Sequence, residues 1–175
     1  MRTGDTVYDC VLKGRIRLEG RKTTNPVAVG DQVELESDNG EVSITKIHPR
    51  KNYIIRKSIN LSKQAQIIAS NLDQAILIVT LVSPRTSFGF IDRFLVTAEA
   101  YSIPAKLIFN KSDLLDETLL QVQAEIMALY SGIGYPCFEV SSYNQDAVAQ
   151  LRAVFANNTT LIAGHSGVGK STFIN

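Results

Sequence analysis

The feature that most constrains the fold of this chain is an alternation of apolar runs and amphipathic segments, which begins near residue 65. Residues 74–82 contain the run AILIVTLV, which is typical of a strand buried on both faces of a parallel sheet. Residues 88–101 then place apolar side chains three and four apart, as one face of a helix requires. Further strands are predicted at 106–109, 137–140 and 159–163, and further helices at 117–131 and 146–156. The alternation predicts a parallel sheet with helical crossovers.

The first 60 residues have a different pattern, with short β-rich segments separated by turn signals. Asn39 and Gly40 form a hairpin signal, and a strand is predicted just before them at 32–36. No segment here has helical periodicity, and the size suits a small antiparallel barrel of the OB type. The predicted fold class is therefore an N-terminal all-β OB-type barrel over residues 1–62, followed by an α/β phosphate-loop domain over residues 63–175.

A phosphate-binding loop is predicted directly after the last strand. The segment GHSGVGKS at 164–171 fits the pattern G-x-x-x-x-G-K-[ST], in which glycines let backbone N–H groups surround phosphate oxygens. Lys170 would reach the β- and γ-phosphates, and the Ser171 hydroxyl would ligate Mg²⁺. We expect the His165 side chain to point away and to take no part. The candidate loop residues are Gly164, His165, Ser166, Gly167, Val168, Gly169, Lys170, Ser171 and Thr172.

A second motif, NKSD at 110–113, follows another predicted strand. The Asp113 carboxylate can accept two hydrogen bonds from the N1–H and N2–H₂ edge of guanine, whereas adenine offers no such pair of donors. Lys111 would lie along the base, and Asn110 would tie this loop to the phosphate loop. The segment VSSYN at 140–144 is a candidate second base contact through its backbone. The base-site candidates are Asn110, Lys111, Ser112, Asp113, Ser141 and Ser142.

The order of these two motifs is reversed relative to an ordinary GTPase, in which the phosphate loop comes first. Ligands of open α/β sheets bind at the carboxyl ends of the strands, where all these motifs fall. Joining neighbouring termini and cutting the chain elsewhere leaves such a site intact. The sequence therefore predicts a circularly permuted GTPase. An alternative is a phosphate-loop ATPase, in which Ser112 or Asp113 only caps a helix.

Basic residues cluster late in the first segment, where residues 1–60 hold eleven lysines and arginines against eight acidic residues. Barrels of the OB type hold single-stranded nucleic acid through stacking and phosphate contacts. The alternative is a solvated strand edge kept charged against aggregation. The candidate RNA-binding residues, interleaved with Tyr53 and His48, are Lys46, Arg50, Lys51, Arg56 and Lys57. A non-catalytic RNA-binding module thus stands as another alternative function.

With this arrangement the sequence resembles the small ribosomal subunit biogenesis GTPases, the RsgA or YjeQ family. The resemblance rests on the barrel, then ASNLDQAILIV, FIDRFL, NKSDL and GHSGVGKST in that order. It implies a cytoplasmic bacterial enzyme that binds the small (30S) ribosomal subunit late in its maturation and hydrolyses GTP with Mg²⁺. It also implies that the barrel contacts ribosomal RNA. We expect a monomer without a membrane segment.

The resemblance also implies segments that would follow Asn175: a switch threonine, a D-T-P-G segment and a zinc module. Zinc is expected only there, because the two cysteines of this chain, Cys10 and Cys137, are isolated. The expectation is therefore a fragment that binds GDP weakly at best and does not hydrolyse GTP. The residue that positions the catalytic water stays unknown.

Overall fold

The computed structural model describes residues 1–3, 5–13, 26–57, 65–141 and 145–174. The chain divides into two compact units, Met1–Asn71 and Leu72–Asn175. The sequence-based boundary, between residues 62 and 63, lies ahead of this division.

The first unit is built from β-strands. In its described part these are β1 (Arg2–Thr3), β2 (Thr6–Val7), β3 (Cys10–Leu12), β4 (Val33–Asp38), β5 (Glu41–Ile47), β6 (Tyr53–Lys57) and β7 (Ala65–Ser70). β1 pairs with β2 and β6 with β7, while β3, β5 and β4 form a sheet in that order. Because β7 pairs with β6, it extends the first unit to Asn71.

One strand pair departs from the antiparallel arrangement predicted for this unit, because β3 runs parallel to β5. A parallel pair needs a long connection between its strands, and the chain between β3 and β5 supplies one. The hairpin between β4 and β5 follows the prediction. Its turn residues Asn39 and Gly40 have φ of 49° and 85°, the left-handed values that a tight hairpin turn requires.

The second unit is a parallel four-stranded sheet flanked by helices, as the alternating pattern predicts. Its strands are β8 (Gln74–Val79), β9 (Ala105–Phe109), β10 (Cys137–Glu139) and β11 (Thr160–Ala163), in the order β10-β9-β8-β11. Its described helices are α1 (Phe88–Ala100), α2 (Glu117–Gly132), α3 (Gln145–Phe155) and the short α4 (Lys170–Ile174). Nowhere in the described ranges is a helix long and apolar enough to cross a membrane.

The core of the second unit forms around β8, which lies between β9 and β11 and is buried at every residue. Six buried residues make one apolar cluster that joins the sheet, α3 and the phosphate loop: Ile76, Ile78, Ile108, Val140, Leu151 and Val168. Burying a branched aliphatic side chain contributes about 1.5–3 kcal/mol, so this cluster fixes the loop to the sheet.

β8 ends at Val79, three residues earlier than its apolar run predicts. The chain turns away there because the Thr80 amide donates to the Thr86 hydroxyl at 3.1 Å instead of to a strand. The last apolar residues of the run, Leu81 and Val82, therefore lie in the connecting loop and not in the strand.

Candidate functional site

The candidate site lies where the parallel strands end. Asn110 follows β9, and its amide donates to the Val79 carbonyl of β8 at 2.9 Å. Val140 follows β10, and its amide donates to the Phe109 carbonyl of β9 at 2.8 Å. Gly164 follows β11, which pairs with β8. The predicted motifs therefore lie at one edge of the sheet.

Asn110 joins the two principal motifs. Its side-chain Nδ2 donates to the Val168 carbonyl oxygen at 2.8 Å, and both residues are at most 1% exposed. The structure thus contains the tie between NKSD and the phosphate loop that the sequence predicts. A buried hydrogen bond of this kind is costly to break, because the Val168 carbonyl would be left unpaired.

The phosphate loop passes so close to Asn110 that a glycine is required. A Cβ placed on Gly169 would lie 2.3 Å from Asn110 Nδ2, and Gly169 has a φ of 99°. A larger residue would therefore meet both a clash and a strained backbone.

The loop curls around the amine of Lys170. Its Nζ donates to the carbonyl oxygens of Gly164 at 2.9 Å and of His165 at 2.6 Å. The intervening Ser166 and Gly167 are exposed, so the outer face of the loop is open to a ligand. The Thr172 side chain lies outside the described part of the chain.

The His165 ring contacts α1. It stacks against Phe90 with the ring centroids 4.3 Å apart and the planes tilted by 30°. Nothing in the sequence connects these two residues, so sequence reasoning missed the contact. The ring anchors the start of the loop to α1.

Asp113 lies beside Ser141, so the structure brings these two base-site candidates together. Ser141 Oγ donates to Asp113 Oδ1 at 2.5 Å, and the Ser112 amide approaches the Val140 carbonyl at 3.5 Å. The hydroxyl fixes the orientation of an otherwise exposed carboxylate. The predicted partner Ser142 lies outside the described residues.

Neither Ser112 nor Asp113 caps a helix through its side chain, as the alternative interpretation of NKSD requires. A 3-10 turn, Ser112–Leu114, begins after Lys111 without any side-chain cap. Asp116 caps α2 instead, accepting from the Leu119 amide at 2.8 Å. The Asp113 carboxylate is therefore not used by a helix end.

The Lys111 side chain meets a segment that sequence reasoning missed. Its Nζ donates to the Ser83 carbonyl at 2.5 Å, and Ser83 belongs to the loop between β8 and α1. The signal in the sequence was the polar stretch SPRT after an apolar run, which indicates a turn but not its partner.

One ligand for a magnesium ion lies near the end of the phosphate loop. Mg²⁺ in phosphate-loop proteins takes one oxygen from the serine or threonine of the loop, and the exposed hydroxyl of Ser171 offers that oxygen. No group of three or more His, Cys, Asp or Glu in the described residues is placed to hold a metal by itself.

In the first unit, Arg50, one of the candidate RNA-binding residues, is engaged in an ion pair inside the fold. Its guanidinium donates to both carboxylate oxygens of Asp31 at 2.6 Å and to the Pro26 carbonyl at 3.1 Å. The side chains of Arg50 and Asp31 are only 11% and 0% exposed. No pattern in the sequence indicates that Asp31, which lies in a loop, pairs with this arginine.

The buried pair sets the ionisation of Asp31. Burial raises its pKa, but hydrogen bonds from Arg50, Ser70 and the Ala28 amide outweigh burial and leave the pKa below its ordinary value. The carboxylate is therefore charged in the folded unit at neutral pH.

Other members of the basic cluster lie at the surface. Lys46 Nζ is 2.8 Å from Glu34 Oε1, and His48 Nε2 is 3.4 Å from the same oxygen. The hydrogen bond from Lys46 holds the pKa of Glu34 below its usual value. The side chains of Arg56 and Lys57 lie outside the described part of the chain.

Comparison with known proteins agrees with this geometry. The sequence model of the family described as RsgA GTPase matches residues 47–175. The small ribosomal subunit biogenesis GTPase RsgA of Bacteroides fragilis is 51% identical over 170 residues, which cover 97% of this chain and 55% of that protein. The protein of the same name from Flavobacterium johnsoniae is 51% identical over 176 residues, covering 98% of this chain and 54% of that protein.

Solved structures give the same result. The crystal structure of YjeQ from Thermotoga maritima matches with a TM-score of 0.78 and 35% identity, covering 95% of this chain and 55% of that one. YloQ, titled a circularly permuted GTPase, matches with a TM-score of 0.69 and 33% identity over 97% of this chain and 55% of its own. The chain thus spans about half the length of the relatives it matches. From its motifs, its sheet and these relatives, the chain belongs to the RsgA GTPase family.

Proposed function

We propose that this chain binds a guanine nucleotide at the strand-end site, and that the whole protein hydrolyses GTP during maturation of the small ribosomal subunit. The observation that carries the proposal is the hydrogen bond from Asn110 to Val168, which joins a base-reading motif to a phosphate loop. The names of the relatives support the ribosomal role.

Base selection would come from Asp113. Its carboxylate, oriented by Ser141, accepts from the N1–H and N2–H₂ groups of guanine. With adenine the carboxylate would face no matching donors, and a polar group left unpaired in a binding site costs about 1–3 kcal/mol.

Phosphate binding would come from the loop at 164–172. Lys170 Nζ would exchange the carbonyls of Gly164 and His165 for phosphate oxygens. Ser171 would supply one oxygen to Mg²⁺, which when bound neutralises charge on the β- and γ-phosphates.

A competition titration tests this assignment. The chain is titrated with GDP and with ADP in Mg²⁺, by calorimetry, alongside Lys170→Ala. GDP should bind more tightly than ADP, and Lys170→Ala should weaken GDP binding at least tenfold, since a charged hydrogen-bonding partner is removed. Tighter binding of ADP, or the same GDP affinity in the Lys170→Ala variant, would refute the guanine site.

We further propose that the first unit, residues 1–62 with β7 added, is an OB-type barrel that binds ribosomal RNA. The support is the exposure of Lys46 and Lys51, and the sequence adds Arg56 and Lys57 as candidates, while the Arg50 side chain is taken up by Asp31. Exposed ion pairs such as that of Lys46 with Glu34 contribute about 0–1 kcal/mol, so a phosphate can replace the glutamate. The cytoplasm, where subunits mature, is the proposed location.

A further inference from the structure

A tightly closed loop borders the guanine motif. Residues 80–86, here called the 80–86 loop, lie between β8 and α1. The Thr86 amide donates to the Thr80 carbonyl at 2.8 Å, and the Thr80 amide donates to Thr86 Oγ1 at 3.1 Å. Thr80 Oγ1 in turn donates to the Pro84 carbonyl at 2.5 Å. The two threonines are 0% and 7% exposed, so the hydrogen bonds between them are shielded from water.

The loop is attached to the guanine motif at two points. The Asn110 amide donates to the carbonyl of Val79, the residue directly before the loop. Lys111 Nζ donates to the carbonyl of Ser83. The next residue, Pro84, accepts the hydrogen bond from Thr80 Oγ1. The position of the Lys111 ammonium therefore depends on the closure of the loop.

From this geometry we propose that Thr80 and Thr86 are positioning residues for guanine-nucleotide binding, acting through the Ser83 carbonyl on Lys111. The inference rests on the proposed function, because it takes the Lys111 side chain to lie along the bound guanine base. A lysine has a flexible four-carbon stem, and ordering it on binding costs side-chain entropy. Anchoring its ammonium on Ser83 beforehand removes that cost and fixes the stem along the base.

The hydroxyl groups, rather than the bulk of the threonines, carry this role. Valine has nearly the shape of threonine but cannot donate a hydrogen bond to the backbone carbonyl. Thr80→Val would thus release the Pro84 carbonyl while preserving packing. Thr80→Ser keeps the hydroxyl and should keep the loop closed.

The first test separates base binding from phosphate binding in the whole chain. Thr80→Val should weaken GDP binding about tenfold, since it frees a charged hydrogen-bonding group, and Thr80→Ser should restore it. Binding of inorganic pyrophosphate, which needs only the phosphate loop, should stay unchanged. Thr97→Val is the matched control, because that hydroxyl donates to the Arg93 carbonyl of its own helix.

A double-mutant cycle tests the route through the lysine. If Thr80 acts through Lys111, then adding Thr80→Val to Lys111→Met should cause no further loss of GDP affinity. Additive losses would overturn the proposal, as would equal losses for GDP and pyrophosphate in Thr80→Val, which would show a structural role alone.

A nucleotide-free measurement distinguishes failure of this inference from failure of the guanine site. Reductive methylation of Lys111, followed by mass spectrometry with Lys46 as the internal reference, should run several-fold faster in Thr80→Val than in the unaltered chain. Equal rates would overturn the role of Thr80. If the unaltered chain shows no preference for GDP, the guanine assignment fails, and the methylation rates alone decide whether Thr80 positions Lys111.

Discussion

Asn110 Nδ2 and the carbonyl oxygen of Val168 lie 2.8 Å apart, although 58 positions separate the two residues in the chain. This bond gives a physical reason why the motif order can be reversed. The site depends on strand ends that lie together in one sheet. β9 and β11 both lie next to β8, and this arrangement does not depend on the order of the strands along the chain.

Replacing Gly169 by alanine should disrupt this bond. The new Cβ would lie 2.3 Å from Asn110 Nδ2 at a backbone φ of 99°, so either the amide or the loop must move. We expect GDP affinity to fall at least tenfold, measured by calorimetry. Gly132→Ala is the control, because a Cβ there meets nothing within 4 Å. Wild-type affinity in Gly169→Ala would show that the tie is dispensable.

The pair of Arg50 and Asp31 should make the first unit sensitive to acid. The folded pKa of Asp31 lies below its ordinary value of 3.8, so the unfolded chain takes up the proton first as the pH falls. Stability from this carboxylate is therefore present above about pH 4 and is lost below it, as the pH falls through the folded pKa. Urea unfolding between pH 6 and pH 3 measures this loss.

Asp31→Asn provides the matching variant. It should lower the free energy of unfolding at pH 7 by about 3–5 kcal/mol, the usual cost of breaking a buried ion pair. It should also flatten the acid dependence, whereas the exposed Glu41→Gln should change neither. An unaltered acid dependence in Asp31→Asn would place the sensitivity elsewhere.

Gln123 on α2 should be a site where a polar residue costs stability. Its side chain is 0% exposed, and neither amide atom has a hydrogen-bond partner within the described residues. Gln123→Met keeps the length and removes the unpaired groups, so the free energy of unfolding should rise by about 1 kcal/mol. The exposed Gln121→Met on the same helix should be neutral. A loss of stability in Gln123→Met would mean that the amide is satisfied in solution.

The basic surface of the first unit should bind RNA through phosphates. The double variant Lys46→Ala, Lys51→Ala should weaken binding to a single-stranded ribosomal RNA fragment and reduce the slope of log affinity against log salt by about 1.4. Lys13→Ala, which removes a similar exposed lysine paired with Glu36, is the control. Affinity that does not vary with salt would contradict phosphate contacts.

Much of the second unit could be predicted from the sequence, because its helices, strands and motifs are marked by patterns of residues that are close together in the chain. Periodicity marks α1 from Phe88 and the buried strand β8, and each motif follows its strand directly. The end of β8 could not be predicted. The Thr80 amide donates to the Thr86 hydroxyl instead of to a neighbouring strand, and this bond requires the folded loop.

The first unit was predicted less well, because its pairings join distant segments. The parallel β3–β5 pair and the β6–β7 pair depend on partners that no local pattern specifies. Arg50 belongs to a basic cluster, which from the sequence alone indicates RNA binding. Its pairing with Asp31 arises only in the folded unit.

The measurement that tests the guanine assignment most directly is the nucleotide preference of Asp113→Asn. An asparagine presents an amide donor where the carboxylate accepted, which suits the carbonyl edge of xanthine and not the N2–H₂ group of guanine. Competition between GDP and xanthosine diphosphate should therefore favour GDP in the unaltered chain and xanthosine diphosphate in the variant. A variant that keeps its preference for GDP would contradict a base site built on Asp113.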